Sequence, residues 1–160
     1  MSTDELISKI SNMYIMLLYA ITKEDIKRVR HYLSEELYDR YQRIVEDNIA
    51  ANVKQRYDEM NVASVSIDNN EGKLIEAILV VKYIDYKIDR NTQRCVSGDN
   101  LTRKSHVVRL TIVNNKEKNN QIYRCPNCGA GLNVNFTSVC NYCGTPLDNE
   151  NSEYVIINID

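Results

Sequence analysis

The amino-acid sequence predicts an α+β protein in which N-terminal helices pack on a curved antiparallel sheet, with a small cysteine-rich module inserted before the last strand. Apolar residues recur at helical spacing in the first third of the chain and alternate with polar residues after it. Both prolines and three of the five glycines fall between residues 122 and 150, which marks a change of architecture there. No strand–helix–strand unit is found, so a parallel sheet is not expected.

Three helices are predicted at the N-terminus. The first begins at Ser2 or Thr3, which are both good N-cap residues, and its apolar residues are three or four positions apart: Leu6, Ile7, Ile10, Met13, Tyr14, Leu17, Leu18 and Ile21. Residues 22–25 are typical of a new cap, and a short helix should follow them. A longer helix starts at Ser34 and is predicted to run to about Tyr57, with one apolar stripe.

Strands are predicted after residue 60. Alternation over 63–67 and a polar turn at 68–72 indicate a hairpin. The next strand, 74–88, exceeds the usual strand length, so we expect it to be curved or bulged. A polar loop at 89–100 leads to a strand over 101–113, and a polar hairpin loop at 114–121 follows. Residues 154–159 form the last strand.

Two C-x-x-C-G units are the strongest chemical signal in the chain. Cys125 and Cys128 form the first pair, and Cys140 and Cys143 form the second, with eleven residues between them. Two thiolates in one such turn can face the same ion, and the following glycine permits a positive φ. The sequence therefore predicts one structural zinc ion in a zinc ribbon, although iron uses similar turns.

Other interpretations of the cysteines are weaker. Reduced or randomly paired cysteines are one alternative. A thioredoxin-like redox pair is another, but that motif needs a helix where Gly129-Ala130-Gly131 stands. Cys95 stands alone in a polar loop and is interpreted as a bystander. With this module in place, we expect residues 1–121 to form the helices and sheet, 122–150 the zinc ribbon, and 151–160 a final strand that returns to the sheet or ribbon.

Charge and length limit the compartment and the partners. The formal net charge is -2, and the segment from residue 125 to residue 160 contains no Lys or Arg, so nucleic-acid binding is not expected. The longest apolar stretch near the N-terminus, 13–21, is too short to span a membrane, and acidic residues precede it. We therefore predict a cytoplasmic protein. The basic residues Lys27, Arg28 and Arg30 allow peripheral contact with an anionic membrane, or form an ordinary solvated face.

Catalytic motifs are weak. No P-loop or G-x-G-x-x-G pattern is present, and the tyrosines fall at positions that suit packing. His106 lies on the apolar face of its strand with Val108, Leu110 and Ile112, which favours a core histidine over a general base. Asp85 on the preceding strand is the one acid expected near it. The sequence therefore predicts no catalytic residues.

The order of elements resembles a known family. The helical junction from Tyr32 to Tyr38, the long strands and the two terminal cysteine turns resemble bacterial proteins with a domain similar to that of the import-motor-anchoring subunit of the mitochondrial inner-membrane translocase. The resemblance implies a cystatin-like or nuclear-transport-factor-like cone, in which helices and a curved sheet enclose a hollow. It also implies a scaffold role, because the mitochondrial relatives act as peripheral membrane scaffolds.

These inferences lead to two functional hypotheses. The favoured one is a non-enzymatic, zinc-containing binding or scaffold protein that engages a protein, peptide or lipid through the cone or its helical face. The alternative is a small-molecule enzyme of the isomerase or dehydratase type that uses the hollow, which rests on analogy of fold alone. A buried acid paired with His106 would favour the enzyme, and an all-apolar lining would favour a lipid or peptide ligand.

Overall fold

The computed structural model describes residues 2–115, 123–125, 127–132, 139–145 and 154–160. The elements in chain order are α1 (Thr3–Lys23), a 3-10 helix (Ile26–Tyr32), α2 (Glu35–Ala50), β1 (Val53–Glu71), β2 (Leu74–Asp89), β3 (Cys95–Gly98), β4 (Lys104–Asn114), β5 (Tyr123–Arg124), β6 (Gly131–Leu132) and β7 (Tyr154–Ile159). Most of the predicted loop at 114–121, residues 133–138 between the cysteine pairs and the exact limits of the predicted module lie outside the described residues.

Both α-helices begin where their capping residues predict. Ser2 and Glu5 form a reciprocal capping box at the start of α1, and the Ser34 hydroxyl accepts a hydrogen bond from the Leu37 backbone N–H at the start of α2. The prediction that the second α-helix continues to about Tyr57 is wrong. It ends at Ala50 because Asn52 takes a left-handed conformation with φ of 60°.

The main sheet is antiparallel, with strand order β1-β2-β4-β7 and with β3 paired to the end of β2. The predicted hairpin is present as the β1–β2 pair, but its first strand extends from Val53 to Glu71, well beyond the alternating segment 63–67, and pairs with β2 throughout most of that length. The predicted polar loop at 89–100 contains β3, and β4 starts at Lys104 instead of residue 101. The expected irregularity is present, but β1 carries it as three bulges in its pairing with β2.

One hydrophobic core joins the helices to the sheet, as predicted. Leu17 of α1, Leu37 of α2 and Leu79 of β2 each have at most 1% of their surface exposed, and they belong to the same buried cluster. The buried positions of β4 are Val108, Leu110 and Ile112, which is the predicted face. Since helices and strands share this core, the fold is α+β, with the N-terminal helices packed against a curved antiparallel sheet.

Two local contacts join distant parts of this domain. Glu24, in a left-handed conformation at the end of α1, forms a two-contact ion pair with Arg90 after β2. The last strand is joined to the helical segment by the Ser34 N–H, which donates to the Ile156 carbonyl at 2.9 Å. The helical segment is therefore held to the sheet at the end of β2 and at the β7 edge.

Candidate functional site

The first cysteine turn is closed by backbone hydrogen bonds on both sides. The Gly129 N–H donates to the Cys125 carbonyl, and the Cys125 N–H donates to the Ala130 carbonyl, each at 2.9 Å. Gly129 has a φ of 76°, so the positive-φ position expected after the pair is present. The short β5–β6 ladder flanks this turn, pairing Arg124 with Gly131.

The second turn repeats the first. The Gly144 N–H donates to the Cys140 carbonyl at 2.9 Å, the Cys140 N–H donates to the Thr145 carbonyl at 2.8 Å, and the φ of Gly144 is 77°. The Tyr142 N–H also points at the Cys140 sulfur, at 3.4 Å. The same sequence pattern thus produces the same local structure twice.

The structure brings the four predicted ligand residues together. Their Sγ atoms lie within 4.8 Å of one another, with 3.6 Å between Cys125 and Cys143 and 3.7 Å between Cys128 and Cys140. An ion with metal–sulfur bonds of about 2.3 Å in a tetrahedron has sulfur–sulfur edges of about 3.8 Å. A disulfide would need about 2.05 Å, and all four are free thiols. The cluster therefore has the dimensions of a tetrathiolate metal site.

The environments of the four sulfurs differ. Cys125 and Cys140 are buried, whereas Cys128 and Cys143 are exposed. A hydrogen bond from the Thr145 side chain is the largest cause that lowers the pKa of Cys143 to about 5, and the Asn127 amide contributes from the other turn. Sequence reasoning did not anticipate Asn127 and Thr145, although their positions just inside and just after the C-x-x-C pairs could have suggested donors to sulfur.

Cys95 is not part of this cluster. It is exposed at the start of β3, and its sulfur lies near the carbonyl oxygens of Ser97 and Gly98. Its prediction as a thiol separate from the metal cysteines agrees with this position.

The acid–histidine pair that would favour chemistry is not formed. The His106 ring stacks on Tyr83 with 4.2 Å between ring centroids, and its Nε2 is closed off from solvent without a hydrogen-bond partner in the described parts of the chain. Asp85 instead accepts a hydrogen bond from the Gln55 amide at 2.5 Å. His106 is therefore packed as an aromatic residue, and Asp85 is engaged elsewhere.

Tyr14, Tyr41, Tyr57 and Tyr83 lie close together between the helices and the sheet, a grouping that the sequence did not predict. Tyr57 meets Tyr83 edge to face at 5.1 Å, and Tyr14 and Tyr41 lie within electrostatic range of both. Burial, followed by the charge of Asp85, raises the pKa of Tyr83 to about 12. The grouping depends on contacts between distant elements, so no local sequence pattern could have shown it.

The basic segment is partly neutralised by its own neighbours. The Arg28 guanidinium pairs with Asp25 at 2.9 Å, and the Arg30 guanidinium lies 4.7 Å above the centre of the Tyr38 ring. Lys27 is exposed. Lys23 and Arg28 both lie over the ring of Tyr19, at 5.5 and 5.8 Å. The solvent-exposed positive charges of this segment are therefore Lys23, Lys27 and Arg28. The Tyr19 ring lies beneath two of them.

Comparison with known proteins identifies the family of the domain formed by the helices and most of the sheet. The family model described as "Tim44-like domain" matches residues 1–120. The chain belongs to this family. The expected resemblance is thus confirmed, and the cysteine cluster lies outside the matched residues. In the described parts of the chain, no helix has the length and apolar character needed to cross a membrane.

Comparisons with curated proteins and with solved structures add little to the family assignment. No curated protein matches the sequence. A crystal structure of the intermembrane space region of the chloroplast protein ARC6 is similar, with 13% identity and a TM-score of 0.46, over 72% of this chain and 88% of that chain. Tim44-like domains are typically scaffold or binding modules, which places this chain in that general class.

Proposed function

We propose that the protein is a non-enzymatic, zinc-containing binding or scaffold protein. The observation that supports this proposal best is a tetrathiolate cluster of the right size for a metal ion, joined to a domain of the Tim44-like family. In the proposal, the ion holds the small module together, and the Tim44-like domain engages a protein, peptide or lipid partner. Free thiols suit a reducing compartment, so we place the protein in the cytoplasm, in contact with the periphery of the membrane.

The proposed metal is one zinc ion with a structural role. Four sulfurs complete a tetrahedron, whereas a catalytic zinc keeps one position open for water or substrate. Elemental analysis of the purified protein should return about one zinc per chain. Iron in the same cluster would colour the protein through its visible absorption, so a coloured, iron-containing sample would contradict the proposal.

The ion is expected to supply much of the folding free energy of residues 122–150. Phe136 is the one aromatic residue between the two cysteine pairs, so the module has little apolar surface of its own to bury. Changing one cluster cysteine to serine should disorder this segment and leave the helices folded, which amide NMR spectra can separate. Loss of the α1 and α2 signals as well would show that the two parts do not fold independently.

The proposed membrane contact uses the exposed cations Lys23, Lys27 and Arg28. Each basic residue near an anionic surface contributes about 1 kcal/mol, so replacing all three with Gln should weaken binding to phosphatidylserine vesicles roughly a hundredfold. Arg30 is left in place because its guanidinium packs on Tyr38. Co-sedimentation with anionic and neutral vesicles measures the effect.

A matched control removes three exposed cations on or next to the sheet, Lys82, Arg103 and Lys104. It changes the net charge equally but leaves the basic segment intact, so it should retain most of the vesicle binding. If both triple variants lose binding equally, the effect is one of net charge only. If neither loses any, the basic segment is an ordinary solvated surface, and the partner is to be sought elsewhere.

The alternative of an isomerase or dehydratase has less support. Such an enzyme needs an acid or base held against its substrate, and the predicted partners lie in different contacts: His106 on Tyr83, and Asp85 on Gln55. The typically non-catalytic role of the family agrees with a binding protein.

A further inference from the structure

The four clustered sulfurs differ in how easily a dissolved reagent can reach them. Cys125 and Cys140, the first cysteines of the two turns, are 3 and 2% exposed. Cys128 and Cys143, the second cysteines of the two turns, are exposed. Buried structural cysteines are chemically inert, whereas reactive cysteines are at least partly accessible to solvent. Half of the cluster is therefore open to attack from outside.

Each exposed sulfur has a buried sulfur beside it in the other turn. The Sγ atom of Cys143 lies 3.6 Å from that of Cys125, and the Sγ atom of Cys128 lies 3.7 Å from that of Cys140. An accessible thiolate next to a second thiol is the arrangement found in cysteines that oxidise reversibly, because the second thiol converts the first oxidation product to a disulfide. The cluster contains this arrangement twice.

The fifth cysteine lacks such a neighbour. Cys95 is exposed, but it lies outside the cluster that contains the other four cysteines of the chain. Its sulfur lies near the backbone carbonyl oxygens of Ser97 and Gly98 instead. Exposure alone is thus common to three cysteines, and exposure combined with a neighbouring sulfur is found at Cys128 and Cys143.

We propose that Cys128 and Cys143 are sites of reversible oxidation by peroxides, and that their oxidation releases the metal ion from the cluster. The proposal rests on the structural zinc site proposed above and adds a means of regulating that site. It assigns a resolving role to the two buried sulfurs. Each of them forms a disulfide with the exposed sulfur of the other turn.

The chemistry takes place in two steps. An exposed thiolate attacks one oxygen of hydrogen peroxide, so a sulfur–oxygen bond forms, the oxygen–oxygen bond breaks and hydroxide leaves, which gives a sulfenic acid. The neighbouring buried thiolate then attacks the sulfur of that sulfenic acid. A sulfur–sulfur bond forms, the sulfur–oxygen bond breaks, and a second hydroxide leaves. Two thiolates have together lost two electrons, and the peroxide has gained them.

Disulfide formation removes metal ligands in pairs. The thiolate is the form of cysteine that binds a metal ion, and the sulfurs of a disulfide no longer carry its charge. One disulfide therefore leaves two of four ligands, and a second peroxide molecule can oxidise the remaining pair. Thiol reductants reverse the change, since exchange with the disulfide returns both thiolates. The reducing compartment proposed above supplies such thiols.

Zinc release from the metal-loaded full chain tests the proposal. Hydrogen peroxide is added in excess in the presence of a chromophoric zinc chelator, and absorbance follows the released ion. We expect release roughly tenfold or more faster than without peroxide. Reduction with dithiothreitol, followed by its removal and by addition of zinc, should restore one bound ion per chain. Cys95→Ser is the matched control and should release zinc at an unchanged rate.

Mass spectrometry identifies the oxidised sulfurs. Dimedone, which traps sulfenic acids, should label Cys128 or Cys143 roughly tenfold or more strongly than the two buried cysteines, because the oxidant reaches the exposed sulfurs first. Chymotrypsin can cut after Phe136, which lies between the two cysteine pairs. The predicted disulfides, Cys125–Cys143 and Cys128–Cys140, join residues on opposite sides of that cut, whereas disulfides within one turn do not.

Four results would overturn the proposal. They are retention of zinc while peroxide oxidises Cys95, dimedone labelling mainly at the buried cysteines, disulfides formed within each turn, and a loss of zinc that dithiothreitol does not reverse. The zinc content before oxidation tests the function proposed above separately. A chain that purifies without zinc contradicts that function, whereas a chain that keeps its zinc in peroxide contradicts the oxidation proposal alone.

Discussion

Loss of one cluster cysteine should weaken metal binding by a defined amount. The informative changes are Cys143→Ser, at an exposed sulfur, and Cys125→Ser, at a sulfur with 3% of its residue exposed. A serine hydroxyl keeps the size of the side chain approximately but does not supply a soft anionic ligand. Cys95→Ser is the matched control, since Cys95 is a free thiol outside the cluster.

The magnitude follows from the geometry of the cluster. Its sulfur separations of 3.6 and 3.7 Å are close to the edge of a zinc tetrathiolate tetrahedron, so each of the four ligands should contribute to binding. The binding free energy of structural zinc sites is about 10–16 kcal/mol, which is about 2.5–4 kcal/mol for each of four ligands. At about 1.4 kcal/mol for each factor of ten, Cys143→Ser should weaken zinc binding by a factor of about 100–1,000. Cys125→Ser should weaken it more, because the remaining hydroxyl is buried.

Competition with a chromophoric chelator measures these affinities. Each protein is prepared without metal under reducing conditions, and zinc is added in the presence of the chelator until both are saturated. The same titration gives the number of ions bound per chain. The experiment is carried out at pH 7.5, since metal binding displaces thiol protons and the apparent affinity depends on pH.

Two results would refute this reasoning. If Cys95→Ser weakened zinc binding as much as Cys143→Ser, the ion would not be held by the four clustered sulfurs. If Cys143→Ser retained the affinity of the unaltered protein, three ligands would suffice, and the site would have an open position of the kind found in catalytic zinc proteins.

Further changes test the fold that supports the site. Gly98→Ala should lower the free energy of unfolding by about 2 kcal/mol, because φ is 81° and the new Cβ would lie 2.6 Å from a backbone oxygen of β2. Gly72→Ala should lower it less, because φ is also positive, at 62°, but no atom lies within 4 Å of the new Cβ. Arg90→Ala should cost about 1–2 kcal/mol in urea unfolding, since it leaves the mostly buried Glu24 carboxylate unpaired. Burial, aided by the Lys9 charge, lowers the pKa of His31 to about 4, so the unfolded chain binds a proton between pH 6.5 and about 4 that the folded chain does not. The contribution of His31 to the free energy of unfolding should therefore be fully present above pH 6.5, and the free energy should fall by about 2–3 kcal/mol towards pH 4. His31→Phe should flatten this pH dependence. An unchanged pH profile in the variant would show that His31 is not the responsible group.

Local sequence signals predicted much of the fold. Capping serines located the starts of both α-helices, and alternation located the buried face of β4. The end of α2 was misplaced because residues 53–57 continue the helical apolar spacing, while their pairing with β2 makes them a strand. Tertiary pairing overrode the local pattern there, as it did for β3, whose exposed residues give no alternation of burial to detect.

The candidate sites differ in the same way. The four cysteines could be predicted because a C-x-x-C-G turn is a local structure whose dihedral angles and hydrogen bonds are determined by a few neighbouring residues. The group of Tyr14, Tyr41, Tyr57 and Tyr83 could not, because Tyr14 of α1 and Tyr83 of β2 come within electrostatic range of each other only after α1 has packed on the sheet. Sequence therefore predicts sites within a turn better than sites between elements.

The position of the cysteine cluster between two neighbouring strands has a consequence for chain entropy. β4 ends at Asn114 and its partner β7 starts at Tyr154, so their pairing closes a loop of about 40 residues. A metal ion that joins Cys125 to Cys143 removes about 18 residues from that loop, which lowers the closure cost by about 0.5 kcal/mol. Metal loading should then slow hydrogen exchange in β7 itself. The ion would thus stabilise the β4–β7 pairing at the edge of the sheet, although none of its four cysteine ligands takes part in that pairing.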